Sequence, residues 1–439
     1  MELKPGYKQT EVGIIPEDWE VLNLGHICSK VQDGNYGEAY PKPHEFLNYG
    51  IPFLTSKAIG KDGLLKTNLI NYISQEKHDL LNKAHIKLND VLFTNRGASV
   101  GAIGFVDERI EGGNIGPQLT LLRSDPDFTI PHYLLQQMKS DTVQKQIHNQ
   151  DSGSAMNFFG NLATQKFLIL LPPNKKEQHA IATALSDVDA LLNSLDRLIA
   201  KKRDIKKAAM QQLLTGETRL PGFEKKQGYK KTELGVIPKD WKIINLSEIG
   251  ETLAGLTYSP KDVAEHGLLV LRSSNIQNGK LAFDDNVYVK MNVPNRVITK
   301  AGDILICVRN GSRQLIGKCA LISQSAEGTA FGAFMSVFRS KSNGFVFFQF
   351  QSVVIQRQIR ERMGATINQI TNKDMAEFII PIPSKFKEQT AIATILSDMD
   401  AEITALEKRH QKTQHLKQAM MQELLTGKTR LVTPGGYDV

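Results

Sequence analysis

The sequence predicts an α/β (α+β) protein written twice: two globules separated by two long antiparallel coiled-coil helices, an internal duplication of pseudo-twofold character. Three observations predict this. Blocks of sequence recur in the same order in both halves, a long stretch with helical apolar spacing follows each globule, and the intervening sequence carries short β-like runs bounded by Gly, Asn and Ser.

The duplication is direct. GYKQTEVGIIPEDWEVLNLGHI (Gly6 to Ile27) returns as GYKKTELGVIPKDWKIINLSEI (Gly228 to Ile249), offset by 222 positions. KEQHAIATALSDVDALL (Lys176 to Leu192) returns as KEQTAIATILSDMDAEI (Lys387 to Ile403), offset by 211, and that match runs ungapped to QLLTGETRL and ELLTGKTRL. The second half is therefore shorter by 11 residues, all of them lost between the matched blocks. Two copies are too few for a solenoid and suit a molecule with two similar surfaces.

Between the blocks, IPFLTS, DVLFTNRG, GAIGFVD and QLTLLRS read as strands in the first half, and LLVLRSS, DILICVRNG, GKCALI and FMSVFRS in the second. A helical segment follows in each, Tyr133 to Ile147 and Phe348 to Met363, and then an apolar strand ending in proline. This mixture makes each globule α/β.

Beyond those prolines the apolar positions alternate by fours and threes: Ile181, Leu185, Val188, Leu192, Leu195 and Ile199, matched by Ile392, Leu396, Met399, Ile403 and Leu406 and then by His410. This is a coiled-coil seam. Asn174 with Glu177 suits a helix cap, and Gly216 and Gly427 suit left-handed helix ends. Each helix then spans about 40 residues, roughly 60 Å. The seam turns polar at Lys202 and Lys206 and at Thr413 and Lys417, so antiparallel pairing would lay each weak half on the other's strong half. A simple helical hairpin or a homodimer zipper is the plainer alternative. The predicted divisions are residues 1–173, 174–220, 221–383 and 384–439.

The chain has 439 residues, 41% of them hydrophobic, which is enough for several cores. Without a long apolar run or an apolar N-terminal leader, a cytoplasmic protein is expected. Cys28, Cys307 and Cys319 lack zinc or disulfide spacing and read as small core residues. A net charge of +8 and a pI near 9.1 suit a polyanionic partner.

The repeated blocks G-Y-K-x-T-E-x-G-x-I-P-x-D-W, K-E-Q-x-A-I-A-T-x-L-S-D-x-D-A and L-L-T-G-x-T-R-L closely resemble the repeated conserved regions of type I restriction-modification specificity subunits. The match covers the whole chain, twice and in order. It implies two target-recognition domains held apart by an antiparallel helix pair, each reading one half of a bipartite site on double-stranded DNA. It implies as partners two adenine-methyltransferase modification subunits and ATP-dependent restriction subunits, with no cofactor of the chain's own.

The residues agree with a non-catalytic subunit. Leu171-Pro172-Pro173-Asn174 has the prolines of an adenine-gripping motif but the wrong neighbours, and it opens a helix. Gly427-Lys428-Thr429 ends like a phosphate-binding loop, but Gln422 stands where such a loop needs glycine. The histidines lack metal-ligand spacing. The rivals are a catalytically active restriction or methyltransferase chain, a coiled-coil scaffold binding only protein, and a recognition subunit of a methyltransferase-only or type II-like complex.

Base edges are read by Arg, Lys, Asn and Gln with Ser and Thr assisting. Such groups stand at strand ends: Thr55, Ser56 and Lys57, then Asn95, Arg96 and Ser99 in the first globule. The second offers Arg272, Ser273, Ser274 and Asn275, then Arg309, Asn310 and Arg313 in corresponding places. Lys201 to Arg203 and Lys206-Lys207 are weaker candidates for phosphate contacts, a solvated helix face being the simpler reading.

Overall fold

The computed structural model of the chain describes residues 3–60, 63–151, 158–224, 228–363 and 368–432. These fall into two compact units, Met1–Asp196 with Arg409–Val439, and Arg197–Lys408.

Both units are built on the same plan. In the first, four antiparallel strands stand in the order Cys28–Asp33, Leu119–Ser124, Val91–Thr94, Ile103–Phe105. In the second the order is Gly250–Ala254, Met335–Ser340, Ile304–Cys307, Cys319–Leu321. The central strands are apolar on both faces because cores lie on both sides. A smaller sheet adjoins each, with one parallel pair: Phe53 and Leu54 against Asn114 and Ile115, and Val270 and Leu271 against Ala330 and Phe331. A buried ion pair, Arg123 with Asp90 and Arg339 with Asp303, 2.7 Å in each case, braces the two main sheets alike.

The helical segment predicted for each globule is two helices, not one. Pro131–Lys139 and Asp141–Asp151 break at Ser140, and Asn343–Gln351 and Val353–Arg362 break at Ser352. Both serines are extended, with ψ of 153° and 159°. Ser140 Oγ accepts from Val143 N, the side-chain bond that lets serine start a helix rather than continue one. The apolar strands that follow, Leu168–Leu171 and Ile379–Pro383, pair with Glu20–Asn23 and Trp241–Asn245 from the repeated N-terminal blocks.

The long helices run Lys175–Thr215 and Phe386–Leu424. Within each unit the first half of one lies antiparallel to the second half of the other. In the first unit Lys417 pairs with Asp189 at 2.7 Å and His410 Nε2 lies 3.2 Å from Asp196. In the second, Lys206 pairs with Asp400 and Lys202 with Glu402, both at 2.6 Å. Three of the polar seam positions, Lys202, Lys206 and Lys417, therefore reach acidic residues of the neighbouring helix, while the Thr413 hydroxyl donates to Arg409 O of its own helix. Ile181, Leu185, Leu195, Ile199, Ile392, Leu396 and Ile403 are buried, while Val188, Leu192, Met399 and Leu406 are half-buried. Ile181 and Leu185 belong to the core of the first globule, and Ile392 and Leu396 to that of the second, so the start of the seam serves the globules too.

The three cysteines are buried and unpaired. Burial pushes the thiols of Cys28 and Cys319 up to about 12 and that of Cys307 to about 11, which leaves them chemically quiet. Among the described residues no helix is long and apolar enough to cross a membrane, and no group of three or more His, Cys, Asp or Glu could hold a metal ion.

Candidate nucleic-acid interface

The repeated blocks are fastening, not reading, elements. The Arg of T-R-L, the Glu of K-E-Q and the Asp of D-W meet in each unit. Arg430 donates Nη1 to Asp18 at 2.8 Å and Nη2 to Glu177 at 2.7 Å. Arg219 donates Nη1 to Asp240 at 2.9 Å and Nη2 to Glu388 at 2.8 Å. The guanidinium carbons lie 5.8 Å from the ring of Trp19 and 5.7 Å from that of Trp241. Glu177 therefore does not close a capping box as its spacing suggests. Asn174 caps alone, accepting from Lys176 N at 2.9 Å, while the Glu177 carboxylate is buried under Arg430. Gly427 and Gly216 end the long helices with φ of +71° and +72°. A Cβ on either would come within 2.5 to 2.6 Å of Pro16 or Pro238, so each glycine is required twice over, by conformation and by contact. The hydrogen bond from Arg430 holds the Asp18 carboxyl below its ordinary value, against burial, which pushes it up.

The candidate readers stand at the ends of matching strands. Thr55 follows strand Ile51–Leu54, with Ser56 and Lys57 on a 3-10 turn. Arg272 follows strand Leu268–Leu271, with Ser273, Ser274 and Asn275 on a 3-10 turn. Next to these come the ends of the central strands, Asn95 and Arg96 after Thr94, and Val308 and Arg309 after Cys307. One connecting segment ties each pair of ends together. Gly116 N donates to Leu54 O at 2.8 Å and Asn95 N to Gln118 O at 3.0 Å. Gly332 N donates to Leu271 O and Val308 N to Phe334 O, both at 3.0 Å. In the second unit Asn310 Nδ2 also donates to Ser273 Oγ at 3.1 Å.

Two of the sequence candidates are withdrawn from the surface. Asn95 is fully buried: its amide donates to Asp33 Oδ1 and Thr120 Oγ1 and its oxygen accepts from Arg96 Nε at 3.2 Å. Asn275 is fully buried too, donating to Ala282 O at 2.9 Å and accepting from Arg272 N. An amide whose groups are satisfied inside the protein cannot also meet a base edge; these two brace their arginines instead. Burial pushes the Asp33 carboxyl up, against the hydrogen bonds from Thr120 and Asn95.

The other candidates are half-buried or exposed, although the Ser274 hydroxyl oxygen is itself buried. Thr55, Ser56 and Ser99 are half-buried and Lys57 is exposed. Arg272 makes a 2.8 Å pair with the exposed Asp285. With Ser273, Ser274, Tyr258 and Phe334 it lines a recess of about 770 Å³. Arg313 is exposed and reaches Met363 O at 3.5 Å. Arg96 and Arg309 each lie over a phenylalanine: Phe158 at 4.1 Å and Phe334 at 5.1 Å. Among the described residues neither arginine forms an ion pair, although the charge of Arg96 acts on the nearby Asp33 carboxyl, and Arg309 has no side-chain acceptor. Sequence reading missed both rings. Their signal is weak, a single exposed aromatic next to a buried residue, and only pairing across the sheet brings them to the arginines. Lys202, Arg203 and Lys206, weighed as phosphate contacts, are taken up by Glu402, Glu407 and Asp400.

The sequence model of the type I restriction modification DNA specificity domain matches residues 16–203 and again residues 238–418. The chain belongs to this family. Its function is thereby DNA sequence specificity, carried in two domains. Its relatives include the type I restriction enzyme MjaVIII specificity subunit of Methanocaldococcus jannaschii, 24% identical over 428 residues, covering 95% of this chain and 94% of that one. The EcoKI specificity subunit of Escherichia coli (strain K12) is 30% identical over 207 residues, 44% of each chain. The crystal structure of the type I restriction-modification S subunit from M. genitalium shares the fold, with a TM-score of 0.60 at 17% identity over 97% of this chain and 98% of that one. Each family match begins inside an N-terminal block, at Pro16 or Pro238, and runs through one globule into part of a long helix. Each match contains the Asp and Glu of one cluster, Asp18 with Glu177 or Asp240 with Glu388, while the arginine that joins them, Arg430 or Arg219, lies just past the end of the other copy's long helix and outside both matches.

Proposed function

We propose that this specificity subunit reads a bipartite double-stranded DNA target with one half-site per recognition domain, residues 1–173 for one and 221–383 for the other. The helices of 174–220 and 384–439 are the spacer between them. The chain itself performs no chemistry. It positions two adenine-methyltransferase modification subunits on the site, and restriction subunits that use ATP join the same assembly.

The observation that carries this reading is the repeated arginine: Arg96 and Arg309 occupy equivalent strand ends in separate units, and among the described residues neither guanidinium forms an ion pair, although Arg96 lies near enough to Asp33 for its charge to favour the carboxylate. Guanidinium donors outside any ion pair, those of Arg309 and the Nη groups of Arg96, whose Nε is held by Asn95, suit bidentate recognition of a guanine edge. Lys57, Arg272 and Arg313, with Thr55, Ser56, Ser99, Ser273, Ser274 and Asn310, surround these two as further contacts to bases and phosphates. The test is mapping of methylated adenine across a genome by the complex carrying Arg96→Ala or Arg309→Ala. Each variant is expected to relax one position of a different half-site. Unchanged specificity in both would remove the arginines as readers. Methylation or cleavage by the purified chain without partners would overturn its non-catalytic role.

A further inference from the structure

The two arginines share a kind of support but take it from opposite sides. The hydrogen bonds that frame them match one for one. Asn95 N donates to Gln118 O as Val308 N donates to Phe334 O, and Phe159 N donates to Asn95 O as Ile370 N donates to Val308 O, both at 2.9 Å. Position 118 in the first unit is thus position 334 in the second. Position 158, bridged to Arg96, is position 369, bridged to Arg309. At these paired positions the first unit has Gln118 and Phe158, and the second has Phe334 and Gln369. The aromatic and the amide are exchanged, and in both units the arginine lies over whichever flank holds the ring.

Neither ring is explained by packing. Phe158 is 49% exposed and Phe334 56%, and burial of apolar area gives no reason for either. A guanidinium on a ring face keeps its edge donors free while losing much of its rotational freedom, so less order is lost when it meets a base.

We infer that Phe158 and Phe334 are specificity-determining positioning residues: each fixes the flank on which its arginine lies, and the Phe–Gln exchange turns equivalent arginines to opposite sides of the strand end. This rests on the reading of Arg96 and Arg309 as base readers. It also makes the two units unequal. Arg96 is tethered a second time through Asn95, whereas the equivalent residue in the other unit is Val308, which offers no acceptor. Arg309 therefore depends on its ring alone.

The experiment measures base preference at every position of both half-sites, using the complex with its modification partner on a randomised target library. Phe158→Leu and Phe334→Leu keep apolar bulk and remove the ring. Each should lower preference at one base pair of its own half-site by roughly two- to five-fold, with the larger loss for Phe334→Leu. The double exchange F158Q/Q118F should sharpen preference again relative to F158Q alone but change which base is preferred, because it restores a ring on the other flank. Unchanged unfolding midpoints show that the variants are folded. If Arg96→Ala and Arg309→Ala relax a base pair but the leucine variants do not, the positioning role falls and the readers stand. If the arginine variants change nothing, both fall together. A uniform loss of affinity across all sequences also overturns the inference, as does a double exchange that stays as relaxed as F158Q or returns the parent's own preference.

Discussion

The fastening of each globule is repeated closely from one unit to the other, while the strand-end edge that carries Arg96 or Arg309 is not. At the fastening, Arg219 and Arg430 meet equivalent partners: the Nη1 contacts to Asp240 and Asp18 agree within 0.1 Å, as do the Nη2 contacts to Glu388 and Glu177. At the reading edge, equivalent arginines have different supports, Asn95 and Phe158 in one unit, Val308 and Phe334 in the other. Three chain segments must bring one cation to two carboxylates at the fastening, and a change in any one leaves a half-buried charge without its partner. On the proposed reading the edge meets a ligand outside the protein, and its supports can differ wherever the strands beneath them hold.

The largest effect should come from breaking the fastening. Arg430→Ala leaves the buried Glu177 without its cation and should destabilise the first unit by about 3 kcal/mol or more. Arg219→Ala should do the same in the second unit. Hydrogen exchange resolved by residue checks this: protection should fall in the unit that carries the change and persist in the other. Equal loss in both units would show that the fastenings act jointly.

A smaller loss, about 2 kcal/mol, is expected from Gly216→Ala or Gly427→Ala, where a side chain must adopt a positive φ and displace a proline ring. Denaturant midpoints give the measurement, and a neutral result would mean that the helix end can rearrange. For Arg96→Ala and Arg309→Ala the comparison predicts a loss of roughly 1 to 3 kcal/mol in base discrimination with little change in stability. A shallower salt dependence with uniform weakening would mark either as a phosphate contact instead.

The smallest effect concerns acid. Asp18 is held below its ordinary value in the folded chain, so the unfolded chain binds its proton more readily. Its contribution is present above the ordinary carboxylate range and is lost as the pH falls through the folded value. Asp18→Asn should therefore lose stability near neutrality and narrow its gap to the parent below about pH 4. A gap that stays constant with pH would show that Asp18 acts through its shape rather than its charge.

Sequence alone determined the duplication, the long helices and most of the main strands, because each leaves a periodic or repeated mark that neighbours in the chain carry by themselves. The Ile181 and Ile392 stretches repeat at helical spacing, and VLFT and ILIC are apolar runs of strand length. It also placed Arg96 and Arg309 at corresponding strand ends, since both follow such runs directly. The breaks at Ser140 and Ser352 were not legible, because serine inside a helix costs little and only the turn of the chain over the sheet selects the extended conformation. Tertiary structure alone decided that Asn95 and Asn275 face inward, that Glu177 serves Arg430 rather than a cap, and that Phe158 and Phe334 lie under arginines. Each of these is a contact between segments far apart in the chain, and a residue's own type and spacing say which bonds it can make, not which distant partner the fold will bring to it.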